Sequence, residues 1–135
     1  MKSLYLLSAH WQSMREHVQA LAPLEACGLL AGKNEQVLAV LFVRNQAQSP
    51  VRFVMDPIEQ LNALEWIDAH GLELVGIFHS HPAGPETVSV TDIADAAYEV
   101  AQIIWSRPHD DWQARGFWIE NGEVREVSLE MIAGE

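Results

Sequence analysis

The chain has 135 residues and a formal charge of −11, with 8 Lys plus Arg against 19 Asp plus Glu. This length fits one domain that buries its core without disulfides or a structural metal. The acidic balance argues against nucleic acid or anionic membrane as a partner, and no apolar run approaches the roughly 18 residues that a membrane span needs. The single cysteine, Cys27, cannot form an internal disulfide, which is consistent with a cytoplasmic protein.

Strand and helix patterns alternate along the chain without a linker or an internal repeat, which predicts one α/β domain over residues 1–135. The first half is predicted to contain a strand, a helix and a hairpin of two central strands, in the order Leu4 to Leu7, His10 to Leu21, Glu25 to Gly32 and Val37 to Val43.

The second half begins with strong signals for a helix. Asp56 and Pro57 supply an N-cap and a proline at the first helical position, and Gly71 stands where a left-handed residue would end the helix. Its predicted buried stripe consists of Ile58, Leu61, Leu64 and Ile67. A third helix is predicted over about Val90 to Ala101, and the predicted strands are Val51 to Met55, Leu72 to Phe78, Gln102 to Trp105, Phe117 to Ile119 and Val124 to Leu129.

Two histidines and a carboxylate have the spacing of metal ligands. His79 and His81 stand two residues apart at the predicted end of a strand, so their side chains leave the same face. Asp92 follows in the first turn of the predicted third helix. Two imidazoles and one carboxylate with an open fourth position are typical of catalytic zinc, because a structural site uses four protein ligands. The open position takes a water, whose pKa zinc lowers to about 7.

Two further side chains are candidates for the hydrolysis of a carbonyl compound. An activated water needs a carboxylate that takes its proton and passes it to the leaving amine. Glu25 is the candidate, because a charge in an otherwise apolar strand is costly without a partner or a task. Ser89 is the candidate hydrogen-bond donor to the oxyanion that forms when the carbonyl is attacked.

These residues resemble the JAMM motif of the MPN-domain metalloproteases, a family that includes zinc isopeptidases acting on ubiquitin-like proteins. The motif is an upstream Glu, then His-x-His, seven residues, Ser, two residues and Asp. The chain has these residues in that order, as Glu25, His79-Ser80-His81, Ser89 and Asp92. The order of the predicted elements also agrees, so the resemblance covers nearly the whole chain.

The resemblance implies both a fold and a chemistry. The implied fold is α/β: a single domain with a mixed, mostly antiparallel β-sheet flanked by about three helices, similar to that of cytidine deaminases. The implied site is zinc held by His79, His81 and Asp92, with Glu25 as general acid/base and Ser89 supporting the tetrahedral intermediate.

Each of these residues also has an ordinary structural interpretation. His79 and His81 alone would fit polar residues at a strand end, and Glu25 would fit a solvated strand edge. Ser89 and Asp92 also fit a capping box, although the spacing of Asp92 from His81 then has no explanation. Cys27 fits a small buried hydrophobe. The other histidines have no ligand spacing and are predicted at the surface: His10, His17, His70 and His109.

The compactness of the chain narrows the expected substrate. The resemblance implies that isopeptidases acting on ubiquitin chains carry insertions, for which this chain has no room. It looks like the stand-alone prokaryotic members, some of which trim the C-terminal tail of small ubiquitin-like or sulfur-carrier proteins. Such a tail is expected to add as a strand beside an exposed sheet edge.

Two functions of other classes were compared with this one. A non-catalytic MPN-type binding module remains an alternative, in which the fold docks a partner and any metal is structural. A nucleoside deaminase is disfavoured, because the His-x-Glu and Pro-Cys-x-x-Cys ligands of that chemistry are absent from the sequence.

Overall fold

The strands form one mixed sheet that closes into a barrel. The computed structural model describes residues 1–133, so the last two residues of the predicted domain lie outside the described part. The elements follow in the order β1 (Ser3–Leu7), α1 (Ser8–Leu21), β2 (Cys27–Lys33), β3 (Gln36–Val43), α2 (Pro57–Ala69), β4 (Glu73–His81), α3 (Val90–Ala94), β5 (Ala101–Ser106), β6 (Gln113–Glu120) and β7 (Glu123–Ile132).

The predicted mixed α/β architecture with three helices is confirmed, but the sheet is not open. The strand order is β1-β3-β2-β4-β5-β6-β7, and β1 closes the ring by pairing in parallel with β7 and, at Tyr5 and Gln36, with β3. The β2–β3, β2–β4, β5–β6 and β6–β7 pairings are antiparallel, and β4–β5 is parallel. Each described strand therefore has two neighbours, so the expected free edge for a substrate tail is wrong for these seven strands.

Alternate residues of the central strands point into two apolar clusters, one beneath each long helix. Leu30 of β2 and Phe78 of β4 pack with α1, whereas Leu29 and Ile77 pack with α2. This alternation decides where the histidines of β4 point. Counted in steps of two from Ile77, both histidines leave β4 on the face that carries α2.

The signals that begin and end α2 are confirmed. The Asp56 side chain accepts hydrogen bonds from the backbone N–H groups of Ile58 and Glu59, both at 3.0 Å. Gly71, just beyond the helix, has a φ of +67°. The predicted buried stripe of this helix is wrong in its first turns, where Ile58 is 71% exposed and Leu61 is 55% exposed. Only the last turns of α2 reach the barrel, where Ile67 is buried.

Two further predictions about local structure are wrong. The third helix ends at Ala94, because the chain from Ala101 onward forms β5, a fully buried strand parallel to β4. The segment from Val51 to Met55 is not a strand, since its pairing is a single bridge between Asn45 and Met55. It runs instead as an irregular loop between β3 and α2.

The remaining predictions concern packing and the surface. Trp105 and Trp112 are buried, as expected for core residues. His17, predicted at the surface, is half-buried and stacks on Phe42 with ring centroids 4.1 Å apart. Asn121 and Gly122 both have positive φ, which confirms the predicted turn between β6 and β7. Within residues 1–133, no helix is long and apolar enough to cross a membrane.

Candidate metal centre and active site

The two histidines of β4 and Asp92 of α3 meet at one buried point. The Nε2 atoms of His79 and His81 are 3.0 Å apart. Oδ1 of Asp92 lies 3.1 Å from the first and Oδ2 lies 3.2 Å from the second. Two nitrogens bound tetrahedrally at a zinc–nitrogen distance of about 2.0–2.1 Å would be separated by about 3.3 Å. The three side chains therefore fit the ligand set of a single metal ion.

The surroundings of the histidines prepare their Nε2 atoms for a metal. Nδ1 of His81 donates a hydrogen bond to the carbonyl oxygen of Pro85 at 2.9 Å. This bond places the proton on Nδ1 and leaves a lone pair on Nε2. The ring of His79 stacks on Phe53 with centroids 4.3 Å apart. Nδ1 of His79 is buried without a hydrogen-bond partner among the described residues, so packing against Phe53 orients this ring.

Asp92 serves the helix and the candidate metal site at the same time. The backbone N–H of Ser89 donates to Oδ2 of Asp92 at 2.8 Å, and the N–H of Asp92 donates to Oγ of Ser89 at 3.0 Å. Burial opposes the charge, but the hydrogen bonds from His79, His81 and Ser89 outweigh it and hold the pKa of Asp92 well below its usual range. The capping box and the ligand geometry are therefore compatible, and the carboxylate is ionised at neutral pH.

Glu25 faces the same point from the opposite side of the cleft. It lies just before β2, is 4% exposed, and has a carboxylate oxygen within 4.8 Å of the nitrogens of His79 and His81. The alternative of a solvated strand edge is wrong. Burial raises the pKa of Glu25 to about 7, with His81 acting to lower it and Asp92 to raise it further. A carboxyl with a pKa near neutrality can both accept and return a proton.

Ser80 ties the strand of the histidines to the segment of Glu25. Its Oγ accepts a hydrogen bond from the N–H of Ala26 at 2.8 Å, and its own N–H donates to the carbonyl oxygen of Ala26 at 3.0 Å. Ser80 is fully buried. The sequence analysis quoted Ser80 only as the middle residue of the His-x-His motif, yet it fixes the distance between Glu25 and the metal ligands.

Asn45 is a positioning residue that the sequence analysis missed. Its Nδ2 donates to the carbonyl oxygens of Glu25 and Arg52, both at 3.0 Å. Its Oδ1 accepts from the N–H groups of Ala47 and Val54, also at 3.0 Å. The buried amide thus joins the backbone of Glu25 to the loop that carries Phe53. Asparagine alone among the neutral side chains here supplies two donors and an acceptor in one group.

Replacing Asn45 by Asp is expected to disturb this connection. A carboxylate cannot donate, so it would leave the carbonyls of Glu25 and Arg52 unpaired and face them with a negative charge. We expect the free energy of unfolding to fall by about 2–4 kcal/mol and the turnover number to fall with it. Urea unfolding and steady-state kinetics measure both. Asn62→Asp, on the exposed side of α2, is the matched control; equal behaviour of the two variants would contradict this role.

Cys27 does not take part in the site. Burial raises the pKa of its thiol to about 12, and Sγ donates a hydrogen bond to the carbonyl oxygen of Val43 at 3.3 Å. The thiol is therefore neutral and packs among apolar residues beside α2. This agrees with the structural interpretation of the residue.

Two cavities flank the candidate metal centre. The first cavity has a volume of about 450 Å³ and is lined by residues that include Phe53, His79, Ser89 and Asp92. The second cavity has a volume of about 380 Å³ and is lined by residues that include Leu21, Leu24, Glu25, Phe42 and Glu59. The loop between β3 and α2 contributes to both walls, so it separates them.

Comparisons with known proteins agree with this geometry. The family model of prokaryotic homologues of the JAB domain matches residues 7–121. A desampylase of Pyrococcus furiosus is 36% identical over 94% of this chain and 90% of its own length. A probable TtuB-protein conjugate cleaving protease of Thermus thermophilus is 34% identical over 96% of this chain and 83% of its own length.

Solved structures share the fold. A protein of Desulfitobacterium hafniense superposes with a TM-score of 0.86 at 31% identity, covering 97% of this chain and 94% of its own. A JAB1/MPN domain protein of Archaeoglobus fulgidus superposes with a TM-score of 0.65, covering 98% and 100% of the two chains, and at 18% identity it supports the fold alone. The sequence resemblance and the fold lead to one conclusion: the chain belongs to the family of prokaryotic homologues of the JAB domain.

Proposed function

We propose that this protein is a zinc-dependent metallopeptidase of the isopeptidase type, which cleaves the peptide or isopeptide bond at the C-terminal tail of a small ubiquitin-like or sulfur-carrier protein. One observation carries the proposal: His79, His81, Asp92 and Glu25 converge at one buried point between two cavities. Three of them form a ligand set with an open position, and the fourth is a carboxyl suited to proton transfer.

His79, His81 and Asp92 would hold the zinc, and its Lewis acidity would lower the pKa of a water and polarise the scissile carbonyl. Glu25 takes the proton of the attacking water and returns it to the nitrogen of the leaving amine. The hydroxyl of Ser89 accepts the N–H of Asp92 and keeps its own hydrogen for donation to the carbonyl oxygen. Each residue thus has one task in the hydrolysis.

The loop before α2 offers the backbone that the closed barrel does not. Arg52 and Val54 direct backbone groups toward Asn45. Because backbone groups alternate along an extended segment, Phe53 directs its N–H and C=O the other way. A substrate tail could add there as a strand and bring its last carbonyl into the first cavity, beside His79.

The names of the relatives support the substrate class. One relative is named a desampylase, and another is named as a probable protease that cleaves TtuB-protein conjugates. We infer that this chain acts on a conjugate of the same kind, in which a small carrier protein is joined to a target through its C-terminal tail.

The test is cleavage of carrier proteins that end in Gly-Gly and are fused to a reporter. Zinc-loaded wild-type protein is expected to cut after the second glycine, and chelated protein is expected to leave the fusion intact. Mass spectrometry of the released carrier identifies the bond. If every fusion remained uncut, and wild type and Glu25→Gln behaved alike, the proposed function would be wrong.

A further inference from the structure

The second cavity, lined by residues that include Leu21, Leu24, Glu25, Phe42 and Glu59, lies on one side of the metal centre only. Glu25 is on its wall, whereas His79, Ser89 and Asp92 are on the wall of the first cavity. The carboxyl of Glu25 reaches the histidine nitrogens within 4.8 Å, so the second cavity opens directly onto the reacting atoms. The metal centre therefore separates two binding spaces of different composition.

The roles of the residues decide which half of the substrate each space receives. The carbonyl oxygen must meet the hydroxyl of Ser89, which places the acyl half in the first cavity. The leaving nitrogen must meet the proton held by Glu25, which places the amine half in the second cavity. In the hydrolysis the carbon–nitrogen bond breaks, the oxygen of water bonds to the carbon, and the proton goes to the nitrogen.

The wall of the second cavity offers apolar surface to a flexible chain. Phe42 is 47% exposed and Leu21 is 39% exposed, although both are large apolar side chains. His17 stacks flat on Phe42, with an interplanar angle of 13°, and makes this wall rigid. Burial lowers the pKa of His17, so the imidazole carries no charge at neutral pH that would repel an amine. A row of methylene groups would cover the exposed rings favourably.

The polar residues of the second cavity are acidic. Glu59 is held by the backbone N–H of Arg44 at 2.8 Å. The guanidinium of Arg44 lies 3.8 Å from Asp56, so its charge already has a partner. Glu25 and Glu59 therefore face the space without a free cation among the described wall residues. An ammonium group leaving the reaction would find complementary charge there.

We propose that the second cavity binds the lysine side chain of the modified target, with the methylene stem on Phe42 and Leu21 and the nitrogen at Glu25. This inference rests on the proposed function and adds the identity of the leaving group. It makes the protein an isopeptidase by preference, because the stem of an isopeptide-linked lysine fills a space that a linear glycine linkage leaves open.

The test compares three substrates that share one carrier tail. In the first the tail is joined to the ε-amine of a lysine peptide, in the second to the δ-amine of ornithine, and in the third to the α-amine of glycinamide. We expect Phe42→Ala to raise KM for the lysine substrate by about fivefold or more, and for the glycinamide substrate by less than about twofold. Ornithine is expected to fall between them. Phe53→Ala, on the wall of the first cavity, is expected to raise KM for all three alike.

The outcomes separate this inference from the proposed function. If Phe42→Ala affected all three substrates equally, or if Phe53→Ala alone discriminated among the amines, the assignment of the second cavity would be overturned. If the wild type cleaved none of the substrates, the proposed function would fail first. The binding of an Nε-glycylglycyl-lysine peptide to wild type and Phe42→Ala, followed by NMR titration, would then decide the inference. Equal affinities would reject it, and weaker binding to Phe42→Ala would support it.

Discussion

Replacing Glu25 by Gln is expected to slow hydrolysis by a factor of about 10² to 10⁴ while the metal stays bound. The amide has the shape of the carboxyl but cannot take a proton from water, and the proposed ligands are untouched. Steady-state kinetics together with the metal content of the same sample measure this. Glu73→Gln, on an exposed residue at the far end of β4, is the matched control. A Glu25→Gln protein with the rate of wild type would remove this residue from the mechanism.

The same variant has a second readout in chelated protein, which does not depend on activity. The pKa of Glu25 is about 7 in the folded state against an ordinary value of 4.5. Because the folded state binds this proton more tightly, the contribution is fully present below about pH 4.5 and is lost as the pH rises through 7, by up to about 3 kcal/mol. Glu25→Gln should therefore gain stability over wild type at pH 8 and not at pH 4.5, as followed by urea unfolding.

Replacing Asp92 by Asn is expected to abolish zinc retention without unfolding the protein. The amide oxygen can still accept the N–H of Ser89 at the start of α3, but the negative charge that a hard ligand contributes is lost. Asp95→Asn, three residues later at the end of α3, is the matched control because it keeps the site carboxylate. Dialysis followed by elemental analysis gives the zinc content, and circular dichroism checks the fold. Full zinc occupancy in Asp92→Asn would show that the two histidines hold the metal with another group, for which Glu25 is the nearest.

The chemistry of the candidate site could be predicted further than its supports. The two-residue spacing of His79 and His81 at a strand end places both on one face, and the strand β4 does so. Glu25 and Asp92 come from distant segments, and the resemblance supplied their assignment. Asn45 was missed because its partners lie as far as 20 residues away, and its four bonds depend on how the loop folds back. A single asparagine carries no periodic signal in the sequence.

The differences in the fold have the same origin. The pattern around Val90 to Ala101 is compatible with a helix, but pairing with β4 takes Ala101 into β5. The closing strand β1 finds its partners β3 and β7 across long stretches of chain, and local periodicity says nothing about such pairings. Ile58 and Leu61 follow helical spacing faithfully, yet the angle at which α2 leaves the barrel exposes them. Tertiary contacts decided each case.

The most direct test of the account is the zinc-to-protein ratio of wild type, His81→Ala and His70→Ala after metal loading and dialysis, by elemental analysis. His70 is exposed beyond the end of α2 and serves as the matched control. We predict about one zinc per chain in wild type and His70→Ala, and almost none in His81→Ala. A ratio near zero in all three proteins, or full occupancy in His81→Ala, would contradict the metal centre and would favour the non-catalytic binding module instead.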